Sequence, residues 1–309
     1  LLRAEAGSSR LDVIQLPLGF SPEGITLGRE WTAFVGSRAH GSIWKGDLLT
    51  GEGEVVVSDV GSSALGLDHD RRSGYLFACY RSSGNIRSFQ KDFSLVAEFV
   101  FADESVISLI NDVYVTKTAA YFTDSFRDVL YKVPLDADSG EILDLVITDA
   151  NTITLSQEFG FVEGDFNGNG IVANDDGSVL IVANSQAGQI FTVDPETGAA
   201  ALIDLGGVLV HADGLVLRRN TLWAVDSAIN ALLSALTQIS LSEDLTCGSV
   251  APRGLTNVLF DVPTTAGRKG NSLYAVNGKF DVAEEDVPAT EFEIVRVDRD
   301  SGEFMCTSS

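Results

Sequence analysis

A short phrase recurs along this chain, and its spacing limits the folds that the sequence can form. The six copies are Pro22-Glu23-Gly24-Ile25, Ala64-Leu65-Gly66-Leu67, Ile110-Asn111-Asp112-Val113, Gly168-Asn169-Gly170-Ile171, Ala212-Asp213-Gly214-Leu215 and the degenerate Val262-Pro263-Thr264-Thr265. Their second residues stand at 23, 65, 111, 169, 213 and 263, so the intervals are 42, 46, 58, 44 and 50 residues. Intervals of this length are typical of one four-stranded propeller blade. The sequence therefore predicts an all-β, six-bladed β-propeller with antiparallel blades around a central channel.

Short runs rich in β-branched and aromatic residues follow each copy of the phrase, bounded by Gly, Asp, Asn and Ser. The predicted strands are 24–27, 32–36, 42–47 and 54–57 in the first repeat, and 171–173, 179–183, 189–193 and 200–204 in the fourth. Four strands in each repeat are the number that one blade needs.

Closure of the ring requires that the last blade be completed by a strand from one of the termini, because an unpaired edge would leave the ring open. Residues 12–16 and 303–307 both have strand-like composition and compete for this place. We favour the N-terminal strand. The chain has no evident linker, so residues 1–309 are predicted to form one propeller domain.

The charge of the chain restricts its partners. The 309 residues contain 44 acidic side chains against 21 Lys and Arg, a net charge of -23. Such a field repels phosphate backbones and anionic lipid surfaces, so nucleic acid and membrane roles are not expected. A monomer that acts on a small-molecule substrate or ligand is the expected alternative.

The acidic composition, poor in Met and Lys, favours a secreted, extracellular protein. Three cysteines are too few for a disulfide framework, and one must stay unpaired within a monomer. Cys247 and Cys306 both follow turn-like segments and are candidates for a bridge. Sequence alone does not fix the distance between their Cα atoms, so the pairing stays open.

Four of the repeated phrases carry an oxygen-bearing side chain at their second position: Glu23, Asn111, Asn169 and Asp213. If the inner strand of each blade starts beside the channel, these side chains converge at its mouth. Two carboxylates and two amide carbonyls suit a hard cation such as Ca²⁺, with Mg²⁺, Mn²⁺ or Zn²⁺ as other candidates. The alternative is that Asn and Asp only form turns at the strand entries.

The same four residues, in the phrases PEGI, NDV, NGI and ADGL, resemble the metal ligands of the SMP-30/gluconolactonase/LRE-like family of six-bladed propellers. The resemblance covers essentially the whole chain. It implies a lactonase in which Glu23, Asn111, Asn169 and Asp213 bind the metal and Asp213 also acts as the general base. The chain departs from the family before the NDV phrase, where Leu109 and Ile110 replace a substrate-binding Arg.

A second group of polar residues is expected to line a pocket at the same mouth, because the second strand of each blade runs back towards it. His211, two residues before Asp213, is a further candidate for substrate contact or acid–base chemistry. The predicted substrate-binding residues are Tyr80, Asp124, Asn184, His211, Asp226 and Asn277.

Three classes of function therefore remain open: a metal-dependent lactone or ester hydrolase, a metal-independent small-molecule enzyme of the cyclase type, and a secreted binding propeller with a structural cation.

Residues 165–176 also have the oxygen spacing of a calcium loop, although the following residues favour a strand over the helix that such a loop needs.

Overall fold

The computed structural model describes residues 10–58, 61–81, 85–102, 106–227 and 236–298. These residues form six four-stranded antiparallel sheets, and the chain is an all-β, six-bladed propeller as predicted. From the axis outward, the strands of blades 1 to 3 are β2 (Pro22–Leu27), β3 (Thr32–Ser37), β4 (Ile43–Asp47) and β5 (Gly53–Val57); β6 (Ala64–His69), β7 (Leu76–Tyr80), β8 (Asn85–Phe89) and β9 (Leu95–Val100); β10 (Ile110–Val115), β11 (Ala119–Asp124), β12 (Val129–Pro134) and β13 (Thr152–Thr154).

The other three blades repeat this order. Their strands are β14 (Gly168–Ala173), β15 (Leu180–Asn184), β16 (Gln189–Val193) and β17 (Ala200–Leu202); β18 (Ala212–Arg218), β19 (Thr221–Asp226), β20 (Leu236–Leu241) and β21 (Gly248–Val250); β22 (Pro263–Lys269), β23 (Ser272–Asn277), β24 (Glu293–Asp298) and β1 (Val13–Gln15). Three short 3-10 helices lie in loops at Asp149–Asn151, Gln157–Phe159 and Val287–Ala289.

The sixth blade joins the two ends of the described chain. Its outer strand β1 pairs antiparallel with β24, with Ile14 opposite Ile294. The competing segment 303–307 lies outside the described residues, as does Cys306, so its pairing with Cys247 stays a prediction. Within the described part of the chain, no helix is long and apolar enough to cross a membrane.

The apolar core is divided among the contacts between neighbouring blades. Alternate residues of a strand point to opposite faces, so each blade presents one apolar face to each neighbour. Phe34 and Ile43 of blade 1, for example, pack with Leu76 and Ala78 of blade 2. Six clusters of this kind bury the β-branched and aromatic runs that defined the repeats.

The inner strands approach one another closely around the axis. A Cβ atom on Gly24 would overlap the carbonyl oxygen of Leu65 in the next blade, and one on Gly170 would overlap the carbonyl oxygen of Asp213. Glycine in the phrase is therefore a packing requirement. The calcium-loop alternative is not formed, because Gly168–Ala173 is the inner strand of blade 4 and Asn167 binds backbone groups of the adjoining loops.

Candidate functional site

A β-bulge at the start of every inner strand determines which residues face the channel mouth. In blade 1, Pro22 pairs with Ser37 and Ile25 with Val35, so residues 23 and 24 stand opposite one residue of β3. The same register shift occurs in all six blades. Because a bulge re-aims the side chain that it contains, the second residue of each phrase occupies equivalent positions around the axis.

The sixth blade differs from the expectation by one residue. Its shift lies between Pro263 and Ala266, so Thr264, and not Pro263, is the counterpart of Glu23. The Thr264 hydroxyl donates to the Glu23 carbonyl oxygen at 2.6 Å. Thr264 therefore helps to fix the backbone of the neighbouring site residue.

The four predicted ligands are all buried at this level of the ring, with exposed fractions between 5 % and 8 %. Asn169 donates a hydrogen bond to the Asp213 carboxylate. The charge of Asp213 in turn raises the pKa of Glu23. The Asn111 amide nitrogen donates to the Ser125 hydroxyl at 2.8 Å, which leaves its amide oxygen for another partner. The structure thus joins Asn169 and Asp213 by a hydrogen bond, brings the Glu23 carboxyl group within range of the Asp213 charge, and places Asn111 at the equivalent bulge.

Hydroxyl groups of the second strands hold the backbone of these residues. Thr123 donates to the Asn169 carbonyl oxygen at 2.7 Å, and Ser125 donates to the Gly168 carbonyl oxygen at 2.7 Å. Each bond crosses from blade 3 to blade 4. Such bonds between blades preorganise the ring of side chains.

Burial without a full set of partners raises the proton affinity of the carboxylates. Burial is the main cause that raises the pKa of Asp213 to about 7, and the Asp226 charge adds to it. Burial, followed by the Asp213 and Asp112 charges, raises the pKa of Glu23 well above its ordinary value. These carboxyl groups therefore need a proton or a cation to offset their buried charge.

The donor set fits a divalent cation. The Glu23 Oε2 atom is buried and has no hydrogen-bond partner. Among the described residues, no group of three or more His, Cys, Asp and Glu side chains is arranged to hold a metal ion. A cation at the mouth would therefore take amide oxygens beside its carboxylates, a mixed oxygen set that is typical of calcium.

We predict that the protein in EDTA, without a bound cation, becomes more stable as the pH falls from 8 to 6.5. Asp112 and Asp213, both with a pKa of about 7, bind protons in this window only when folded. The folded state therefore holds more protons than the unfolded state, and stability increases on acidification. His69 has a pKa lowered by burial to about 4 and an ordinary value of 6.5, so its opposing contribution is only beginning at the lower end of this window and grows below it.

Thermal melting at several pH values in EDTA measures this effect. With saturating Ca²⁺ the trend should weaken, because the cation then offsets the same charges. A melting temperature that falls between pH 8 and 6.5 in EDTA would contradict the prediction.

Four of the predicted substrate-binding residues lie inside the blades and bind protein groups. Asp124 accepts hydrogen bonds from the Leu109 and Phe126 amides and the Tyr131 hydroxyl. Asn184 donates to the Phe159 carbonyl oxygen. These residues stand opposite the first residue of each phrase, where a polar side chain secures the incoming loop. Asp124 and Asn184 are therefore not included in the candidate site.

Asn277 and Tyr80 are engaged in the same way. Asn277 accepts from the Asp261 amide at 3.0 Å and donates to the Leu259 carbonyl oxygen at 2.7 Å. Tyr80 is 1 % exposed, and its hydroxyl donates to the Gly41 carbonyl oxygen at 3.1 Å. Their polar atoms serve the fold, so substrate contact by either side chain would require these bonds to break.

Asp226 and His211 are more exposed than these four residues, although Asp226 stands opposite Ala212 just as Asp124 stands opposite Ile110. Asp226 is half-buried and its charge reaches Asp213. His211 is exposed, and its Nδ1 atom lies 2.8 Å from the Ser185 carbonyl oxygen. Because a carbonyl oxygen only accepts, the Nδ1 atom carries the proton of this hydrogen bond. Both residues remain candidates for contact with a ligand.

The residue after each second strand, one position beyond the predicted polar ring, is the one that adjoins the bulge residue. Ser125 accepts from Asn111, Ser227 donates to Asp213, and a Cβ on Gly278 would touch Thr264. The sequence could have indicated these residues. Side chains alternate between the two faces of a strand, so the residue after each predicted polar residue points to the opposite face. We call them the mouth positions: Arg38, Arg81, Ser125, Ser185, Ser227 and Gly278.

Structural comparison identifies similar propellers of low sequence identity. The Malassezia sympodialis major allergen Mala s 1 has a TM-score of 0.66 and 14 % identity over 94 % of this chain and 97 % of that chain. Virginiamycin B lyase from Staphylococcus aureus has a TM-score of 0.60 and 13 % identity over 86 % and 81 %. A streptogramin B lyase has a TM-score of 0.56 and 12 % identity over 93 % and 97 %.

No protein-family model and no curated protein matches the chain in sequence. The resemblance to the gluconolactonase-type family therefore rests on the site motifs alone. The fold is established on wider ground: this chain has the architecture of six-bladed β-propellers that include lyases and an allergen.

Proposed function

We propose that this propeller is a divalent-cation-dependent hydrolase of a lactone or a similar small ester, with its site at the mouth of the central channel. The observation that carries the proposal is that two buried carboxylates from blades 1 and 5, Glu23 and Asp213, lie near enough for their charges to interact. One oxygen of Glu23 has no partner in the protein. Acidic groups that are buried in this way are strongly destabilising unless a cation or a proton accompanies them.

The four oxygen-bearing residues would each contribute one ligand atom. Glu23 and Asp213 would supply carboxylate oxygens, and Asn111 and Asn169 would supply amide oxygens. Ca²⁺ is the first candidate, ahead of Mg²⁺, Mn²⁺ and Zn²⁺. When bound, the cation would polarise the ester carbonyl group and lower the pKa of a water molecule.

Asp213 has the properties of a general base for this reaction. In the proposed hydrolysis, water adds to the carbonyl carbon while Asp213 takes one of its protons. The proton is then given to the leaving oxygen as the ester C–O bond breaks. Burial raises the pKa of the cation-free carboxyl group to about 7. A bound cation would lower that pKa, so Asp213 would be a carboxylate ready to take the proton at neutral pH. Ser227 and Asn169 donate hydrogen bonds that orient the carboxylate.

A binding propeller or a metal-independent enzyme is the second candidate, and one observation favours it. Burial raises the pKa of both Glu23 and Asp213, so protons could offset their buried charge. In that case the Glu23 and Asp213 pair would share protons instead of a cation. The similar propellers include named lyases and an allergen.

Elemental analysis and thermal melting would test the proposal. Protein purified without chelator should retain a near-stoichiometric divalent ion, and EDTA should lower its melting temperature and abolish turnover of a lactone panel. Added Ca²⁺ should restore both. If EDTA lowers only the melting temperature and no lactone is hydrolysed in either state, a binding propeller with a structural cation is favoured. If no ion is retained and none stabilises the fold, the hydrolase proposal fails.

A further inference from the structure

Two of the six mouth positions are occupied by arginines, Arg38 in blade 1 and Arg81 in blade 2. The equivalent residues in blades 3 to 5 are serines, and blade 6 has Gly278. A guanidinium group is larger than a hydroxyl and carries a permanent positive charge, so these two blades differ from the other four in charge at the mouth. This is unusual in a chain with a net charge of -23.

Arg38 and Arg81 line one cavity on the mouth face. Its volume is about 600 Å³, and Ser21, His40, Phe280 and Glu284 also line it. The Arg38 guanidinium carbon lies 4.9 Å from the centre of the Phe280 ring, which supports the flat face of the group. The cavity is therefore large enough for a small molecule and has a fixed cation in its wall.

The hydrogen-bonding capacity of Arg38 is only partly used. Its Nη2 atom donates to the Ser21 hydroxyl at 3.3 Å, while its Nε atom is buried without a partner. Among the described residues, neither arginine forms an ion pair with a carboxylate, although Glu284 lines the same cavity. A buried N–H group without a partner is costly, and an anionic oxygen would satisfy it.

The two arginines also act on each other. Burial is the main cause that lowers the pKa of Arg38, and the positive charge of Arg81 lowers it further. Like charges in one cavity destabilise each other, and an anion between them would relieve this repulsion. Glu23, one of the proposed cation ligands, is near enough to Arg38 for their charges to interact.

We propose that Arg38 and Arg81 form an anion site that binds a carboxylate or phosphate group of the ligand, beside the carboxylates at the channel mouth. This inference extends the proposed function: the substrate class becomes an acidic lactone or ester, with its anionic group on the arginines and its carbonyl group towards Glu23 and Asp213.

Binding measurements test the anion site without any need for turnover. The probes are inorganic phosphate and malonate, which separate phosphate from carboxylate recognition, at constant ionic strength. Calorimetric titration would be done with the full chain in EDTA and again with Ca²⁺. The Arg81→Gln variant is the first choice because Arg81 is exposed and its loss should not impair folding. Arg253→Gln is the matched control, with the same charge change at an exposed residue outside the cavity.

We expect at least one probe to bind the wild type, and Arg81→Gln to weaken that binding about tenfold, the loss of one charge-assisted contact. Arg253→Gln should leave it unchanged. Absence of binding by both probes, or an equal loss in the control, would overturn the anion site. This binding test requires neither a cation nor hydrolysis. It can therefore overturn the anion site without affecting the hydrolase proposal, and the reverse also holds.

A pair of lactones tests the substrate class. Glucaric acid γ-lactone carries a carboxylate, whereas galactonic acid γ-lactone is neutral and of similar size. The wild type should bind the acidic lactone more tightly, and Arg81→Gln should remove that preference. Equal binding of the two lactones by the wild type would overturn the assignment of an acidic substrate.

Discussion

Replacing Asp213 by Asn should reduce lactone turnover about a thousandfold, the contribution of a positioned general base. The amide is similar in shape but cannot take a proton from water. In EDTA the melting temperature should not fall, because the variant removes a buried charge whose pKa is raised to about 7. In Ca²⁺ the wild type should gain stability that the variant lacks. Steady-state kinetics and melting in both media measure these effects.

Asp68→Asn provides the control for this experiment. Asp68 is also a channel carboxylate whose pKa is raised by burial, but it accepts from Thr26 and the Val115 amide and does not belong to the proposed site. Its replacement should leave the calcium effect in place. If Asp213→Asn retains more than about a tenth of wild-type turnover, Asp213 is not the general base.

Replacing Gly170 by Ala should destabilise the protein by about 3 kcal/mol or more, a large cost for one added methyl group. The new Cβ would overlap the Asp213 carbonyl oxygen, which is backbone and cannot move without displacing β18. The same displacement would disturb the contact between Asn169 and Asp213. Equilibrium denaturation gives the free energy of unfolding, and titration with Ca²⁺ shows whether cation affinity falls with it.

Gly168→Ala is the matched substitution in the same strand. Its Cβ would lie 3.3 Å from the nearest heavy atom, the Asp124 carbonyl oxygen, so a small local adjustment should accommodate it. Equal destabilisation by the two variants would show that contact between blades 4 and 5 does not explain the effect, since a methyl group at either position would then cost the same.

Much of the fold follows from local patterns. The strand predicted at 32–36 is observed at Thr32–Ser37, and the one predicted at 189–193 is observed at Gln189–Val193. These runs are short, rich in β-branched residues and bounded by turn residues, so neighbouring residues alone define them. The phrase repeated at blade intervals then determines how many sheets the chain forms.

The candidate site was less predictable because it depends on single-residue register. The sequence pattern predicts Pro263 as the counterpart of Glu23, whereas the register of the sixth blade makes Thr264 the counterpart. Asp124 and Asn184 were likewise expected in the pocket, yet the following residues, Ser125 and Ser185, occupy the mouth positions. A bulge adds one residue to one strand, and this reverses which side chains face the channel.

The sequence by itself determined the number of blades, the order of strands and the four oxygen-bearing residues of the repeated phrase, since each is encoded over a few consecutive positions. Only the tertiary structure decided that Asp213 and Asn169 meet, that one Glu23 oxygen is left without a partner, and that Arg38 and Arg81 share a cavity. These relations join residues of different blades. Their geometry is set by the closure of the ring and by the bulges, which spacing along the chain does not reveal.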